Sequence, residues 1–175
     1  MSLLDEDRLR PPLRLWGRSV RDIAWLLLMS LTLFVMLLPI SSYIAAIAFV
    51  QVEWALNNTE AGAVFSASLA GYALSAVIVV PLTDRFGTRL ILIGSAVTSA
   101  VSHVLFPLAA GGIASAVVLR AASGVGFMGV YVPGLRVIAE RFSGAGRGTA
   151  MGLFVTAQYA ASGASLAITG ALMTA

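Results

Sequence analysis

Charged and apolar residues are segregated along this chain rather than interleaved. Five windows are almost free of charge: 23–50, 61–82, 90–110, 113–138 and 149–173. Each reaches the roughly 20 residues that an α-helix needs to cross a hydrocarbon core of about 30 Å. Of the Asp, Glu and Arg side chains, only Arg120 and Arg136 fall inside a window. A water-exposed helix would instead repeat polar positions at the helical period. A segment in lipid must satisfy its own backbone groups, which leaves helices and closed barrels. Barrel strands would be short and alternating, whereas these runs are long and continuous in Leu, Ala, Met and Gly. The expected fold is all-α and integral to the membrane, with five transmembrane helices. Pro39 and Pro133 lie within spans and predict kinks that neighbouring helices accommodate.

Composition agrees with this. The 175 residues are 59% hydrophobic and 11% charged, with a mean hydropathy of +0.93. About a quarter of an ordinary soluble domain is charged, so that class is excluded. The absence of cysteine excludes a disulfide scaffold. The net charge is +3 and every basic residue is Arg. This modest excess does not point to nucleic acid; its placement points to topology. Residues 1–22 read as a cytoplasmic tail with Arg8, Arg10, Arg14, Arg18 and Arg21, and Trp16 and Trp25 suit the membrane interface. Arg85 and Arg89 follow the second window, and Arg141 and Arg147 follow the fourth. The opposite connections, 51–60 and 111–112, carry no Arg. Positive charge gathered on one side puts the amino terminus in the cytoplasm. Ala- and Arg-rich usage without Lys suggests a bacterial plasma membrane. Asn57-Asn58-Thr59 has the form of a glycosylation sequon, but Asn57 and Glu60 have the spacing of a helix capping box, and capping is the favoured reading in so short a loop.

The second and third windows are joined by Pro81-Leu82-Thr83-Asp84-Arg85-Phe86-Gly87-Thr88-Arg89, expected as a seven-residue charged loop over 83–89. By composition alone this is positive-inside anchoring plus a turn glycine. Its pattern resembles the signature loop of the major facilitator superfamily of secondary transporters, Gly-x-x-x-Asp-Arg-x-Gly-(Arg/Lys)-(Arg/Lys). Asp84, Arg85, Gly87 and Arg89 match; Val80 replaces the first glycine and Thr88 one basic residue. Arg120-Ala121-Ala122-Ser123-Gly124-Val125-Gly126 is similar to that family's Arg-x-x-Gln-Gly-x-Gly, with Ser123 in the Gln place. Glu140, followed by Arg147-Gly148, is similar to its Glu-x6-Arg-Gly. The resemblance covers roughly residues 20–175. It implies a helical bundle of twelve spans in two six-helix halves, each built from inverted three-helix repeats. By that resemblance, residues 23–175 are a partial amino-terminal transmembrane domain. The implied partners are the lipid bilayer, a small-molecule substrate and a missing carboxy-terminal half.

Candidate residues fall into two groups. Asp84, Arg85, Gly87, Arg89, Glu140, Arg147 and Gly148 form a cytoplasmic set, either an anchor or a gate whose charge pairs break as the halves rock. Arg120, Ser123, Gly124, Tyr131, Ser42, Tyr43 and Gln158 form the substrate or coupling set. Arg120 lies about 10 Å inside its span at 1.5 Å per residue. It reads equally as an anion-attracting residue facing a central cavity or as a structural arginine bonded to helix carbonyls. Arg120, Gly124, Phe127 and Tyr131 share one helical face. Gly124, Gly126 and Gly129 favour close helix packing over substrate approach. Ser41, Ser42 and Tyr43 follow Pro39 and read as a polar patch or as hydroxyls bonded to their own helix. Gln158 or Tyr159 could face a cavity. His103 reads chiefly as a buried hydrogen-bonded residue and secondarily as a proton carrier. Gly62, Ser66 and Ala70, and Gly163, Ala167 and Ala171, form small-residue seams suited to an absent partner.

Catalysis is not expected: one His, no Cys, no carboxylate within a span and no ligand cluster leave an enzyme without its parts, and no cofactor or metal is implied. No nucleic-acid role is expected. The alternative to a transporter is a small multi-span subunit or oligomerising protein.

Overall fold

The computed structural model describes residues 14–15 and 18–174. Arg14–Leu15 (β1) pairs antiparallel with Arg18–Ser19 (β2) in a two-residue ladder. Five long helices follow: α1 (Val20–Glu53), α2 (Asn58–Phe86), α3 (Thr88–Ala109), α4 (Ile113–Arg141) and α5 (Ala145–Thr174). All five are long and apolar enough to cross a membrane. The tail reading falls mostly on residues 1–13 and 16–17, including Arg8, Arg10 and Trp16, which lie outside the described residues. The side chains of Arg14, Arg18 and Val80 also lie outside them.

Much of the bundle's outer surface is apolar. On α3 the buried positions are Ser95, Ser99 and Ser102, while Leu90, Ile93, Val97, Val101 and Leu108 point outward. On α1, Leu27, Leu28, Leu31 and Val35 are exposed. Lipid tails are as apolar as leucine, so burying leucine gains little there. Helices associate instead through close backbone approach and interhelical hydrogen bonds. This is the packing of an all-α integral membrane protein.

α4 runs along α2 and α3, and α1 runs along α5. Glycine permits the first set of contacts. A methyl on Gly71 would overlap the Ala121 carbonyl, and one on Gly124 would overlap the Ser68 carbonyl. A methyl on Gly126 would lie 2.6 Å from the Ser95 carbonyl oxygen. The Ser75 hydroxyl donates to the Val125 carbonyl at 3.0 Å. Hydroxyls tie the second set: Ser41 donates to Ser162 at 3.1 Å, and Ser165 to the Leu38 carbonyl at 2.5 Å. A core of Leu26, Leu33, Leu37, Phe127, Ile138 and Phe154 lies towards the Gly87 end, and a smaller one around Tyr43, Val64 and Ala116 towards the Gly112 end.

Two connections differ in kind. Before α2, the capping box is present: Glu60 N–H donates to Asn57 Oδ1 and Asn57 N–H to Glu60 Oε2, both at 2.9 Å. Between α2 and α3, the expected seven-residue loop is not formed. α2 continues through Pro81, Asp84 and Arg85 to Phe86, and the chain reverses at Gly87 alone, with φ +84° and ψ 138°. The polar residues do not end the helix, because a helix can project beyond the hydrocarbon into a wetter zone. Only glycine occupies that backbone region without strain. Gly87→Val is therefore expected to cost about 1–3 kcal/mol. Its thermal unfolding in detergent should move down, whereas Gly148→Ala, which has open space around it, should leave it unchanged or raise it.

Candidate functional site

Two of the cavities beside α1 contain residues of the substrate set, and they share no lining residue. The first, about 250 Å³, lies among α1, α3 and α4 and is lined by residues including Ser42, Tyr43, His103, Phe106 and Arg120. Arg120 is 4% exposed. It donates from Nη1 to the Ile40 carbonyl at 3.3 Å. Its guanidinium carbon lies 4.2 Å from the Tyr43 ring centroid and 5.0 Å from that of Phe106. Its Nε is buried without a partner. The residue thus crosses to α1 and meets a helix carbonyl and two aromatic faces, an arrangement that stabilises a cation by ring quadrupoles. Tyr43 is fixed in turn by donating from its hydroxyl to the Ala61 carbonyl at 3.2 Å. Ser42 donates back to the Pro39 carbonyl at 2.9 Å. His103 Nε2 is buried and unpartnered in the same wall.

The second cavity, about 270 Å³, lies among α1, α2, α4 and α5. Ser41, Ser68, Tyr72, Gly124, Phe127, Gln158 and Ser162 contribute to its lining. Gln158 Oε1 is buried without a partner, while the neighbouring Tyr159 is 70% exposed and faces outward. Tyr72 and Phe127 of this lining begin an aromatic ladder that runs on away from the cavity. Tyr72, Phe127, Tyr131 and Phe154 stack in sequence, with centroids 5.6, 5.7 and 6.1 Å apart. None of the lining residues carries a formal charge.

The predicted substrate set is therefore divided. Arg120, Ser42 and Tyr43 line the first cavity; Gly124 and Gln158 line the second; Tyr131 sits within the ladder. Ser123 is 1% exposed, with its hydroxyl donating to the Arg120 carbonyl at 2.8 Å. The shared helical face of Arg120, Gly124 and Phe127 does not make one site, because different neighbours cover successive turns of it.

At the Gly87 end, Arg136 joins two helices. Its Nη1 meets Asp84 Oδ1 at 2.6 Å, and its Nε meets Glu140 Oε1 at 3.1 Å. Arg141 pairs with Asp22 at 2.7 Å and lies 4.8 Å over the Trp25 ring. Arg85 lies over the Phe86 ring at 5.6 Å. Among the described residues, Arg89 and Arg147 enter no ion pair. Arg136 and Asp22 are absent from the sequence-derived set. Arg136 sits inside an apolar window, and its i,i+4 spacing to Glu140 was the available signal.

The seams Gly62/Ser66/Ala70 and Gly163/Ala167/Ala171 remain on the surface. Ser66, Ala70, Gly163, Ala167 and Ala171 are exposed, and a methyl on Gly62 or Gly163 would meet nothing within 4 Å.

Comparison with known families matches residues 29–175 to the Major Facilitator Superfamily. No curated protein matches the chain significantly.

Proposed function

The chain belongs to the major facilitator superfamily, and from this we propose that it is the amino-terminal part of an alternating-access secondary transporter for a small solute. It is a membrane protein of a transporter family rather than of an enzyme family. The observation that carries the finer reading is the second cavity: an uncharged pocket whose Gln158 has a buried, unpartnered amide oxygen, set among α1, α2, α4 and α5. Beside it, α2 and α5 present exposed faces of small residues, suited to the close approach of further helices. Those helices would be the carboxy-terminal half, and the solute would pass between the two. On this half, recognition then rests on Gln158, Ser41, Ser162 and the Tyr72–Phe127 rings. The anionic preference expected from Arg120 does not attach to this pocket, because Arg120 lines the other cavity.

The Gly87 end is read as cytoplasmic, with the amino terminus on that side, in a bacterial plasma membrane. There Asp84, Arg136 and Glu140, which pair with one another on this half, exchange partners with the carboxy-terminal half and so act as an inner latch. Exposed pairs are worth only about 0–1 kcal/mol each, which suits a contact that must open and close every cycle.

The cysteine-free chain allows a direct test. Ser162→Cys, at the second cavity, is expected to react slowly with a membrane-impermeant maleimide applied from the cytoplasm. Arg136→Gln is expected to speed that reaction about fivefold, the factor corresponding to about 1 kcal/mol. An unchanged rate would remove the latch. If Ser162→Cys is unreactive from both faces of the transporter-containing membrane, the pocket is not a solute pathway. Arg85→Cys and Arg147→Cys must also label from one side and Asn58→Cys from the other. Opposite-side labelling of the first two would overturn the topology.

A further inference from the structure

Arg120 presents an electrostatic imbalance that the transport pathway does not use. It is a guanidinium buried within a membrane span, and among the described residues it has no carboxylate partner. One carbonyl and two aromatic faces solvate it without cancelling its charge, and its Nε is unpartnered. Intramembrane arginines ordinarily pair with another charge or with backbone carbonyls, or face a water-filled space; the one carbonyl here occupies a single N–H of Arg120. Here the adjoining space is the cavity among α1, α3 and α4, whose volume of about 250 Å³ far exceeds the roughly 30 Å³ share of a single water. A halide would leave most of it empty. Its walls are apolar apart from Arg120, His103, Ser42 and the Tyr43 hydroxyl, which itself points to Ala61. Pro39, Ala46, Val50, Phe106 and Pro107 would pack against hydrocarbon. A single cation in an apolar sleeve selects one negative charge on an organic body and disfavours a multiply charged phosphate.

We propose that the α1–α3–α4 cavity is a binding site for a small organic monoanion, a carboxylate paired with Arg120 whose apolar body lies against Tyr43, Phe106 and Pro107. His103 Nε2 is a second unpartnered nitrogen in the same wall. The site is separate from the Gln158 cavity and stands whether or not that cavity carries solute.

Calorimetric titration of the full chain in zwitterionic nanodiscs with benzoate, and with neutral benzamide as its isostere, tests this. Benzoate is expected to bind saturably, and benzamide about tenfold or more weakly, as expected for loss of a charge-assisted hydrogen bond. Arg120→Gln is expected to weaken benzoate by a similar factor. Ala46→Phe fills the cavity while leaving Arg120 in place, which separates lost binding from lost folding, and it should also abolish binding. Val118→Phe, on the exposed face of α4, should leave binding intact. Equal binding of benzoate and benzamide, retention of benzoate by Ala46→Phe, or no saturable binding at millimolar concentrations would each overturn the site. Repeating the titration with phosphatidylglycerol separates the sources of the anion. Competition would overturn the carboxylate in favour of an anionic lipid headgroup, and its absence supports a free carboxylate.

Discussion

Gly124→Ala is expected to destabilise the bundle more than any other single-methyl addition on α4. Overpacking usually costs about 1–3 kcal/mol, and this case belongs at or above the upper end. The added carbon would overlap the Ser68 carbonyl and crowd the Tyr72 amide nitrogen, so backbone rather than a flexible side chain must yield. Helix propensity acts in the opposite direction, favouring Ala by about 1 kcal/mol, and is too small to offset the overlap. Gly163→Ala provides the contrast. No atom lies within 4 Å of its added methyl, so in this chain propensity alone acts and stability should hold or rise. Reversible unfolding in mixed micelles measures both. Equal stability of the two variants would mean that α2 and α4 do not approach as described.

The second large effect is expected at Phe154. Its side chain is fully buried and ends the Tyr72–Phe127–Tyr131–Phe154 ladder, against the Leu33 and Leu37 region of α1. In a water-soluble core, Phe→Ala costs about 3–5 kcal/mol, part of it transfer from water and part the cavity left behind. Lipid removes most of the transfer term but not the cavity term, so Phe154→Ala should cost about 2–3 kcal/mol. Leu28→Ala, at a position 64% exposed on α1, should cost almost nothing. A similar loss for both variants would show that apolar transfer, not packing, holds the helices together.

These contrasts also show where the amino-acid sequence is informative. The spans are legible because lipid excludes charge. Their ends are less so: α1 begins at Val20 rather than Ile23, and α2 runs to Phe86 rather than Leu82. An apolar window measures contact with hydrocarbon, while a helix ends where its backbone bonds end. Arg136 illustrates the same distinction, since it lies within an apolar window yet pairs with Asp84 and Glu140 at the bundle's end. Periodicity aligned Arg120 with Gly124 and Phe127, but it could not say that α1 and Phe106 enclose the first while α2 abuts the second. Small-residue spacing has a similar limit. Gly71 is crowded by α4, while Gly163 is open, and nothing local to either residue distinguishes them. The family resemblance could be read because its motifs lie at helix ends and on α4, where sequence constrains charge and backbone rather than partner.

The pairing of α1 with α5 imposes an order on assembly. Ribosomal synthesis delivers α1 first, yet Ser41 and the Leu38 carbonyl find their partners only on the fifth helix. The trio α2–α4–α3 can meanwhile lock through its own glycines and serines. Until α5 emerges, α1 is held only by sparser contacts such as Tyr43 to α2 and Arg120 from α4, and its Ser41 hydroxyl must turn on its own carbonyls.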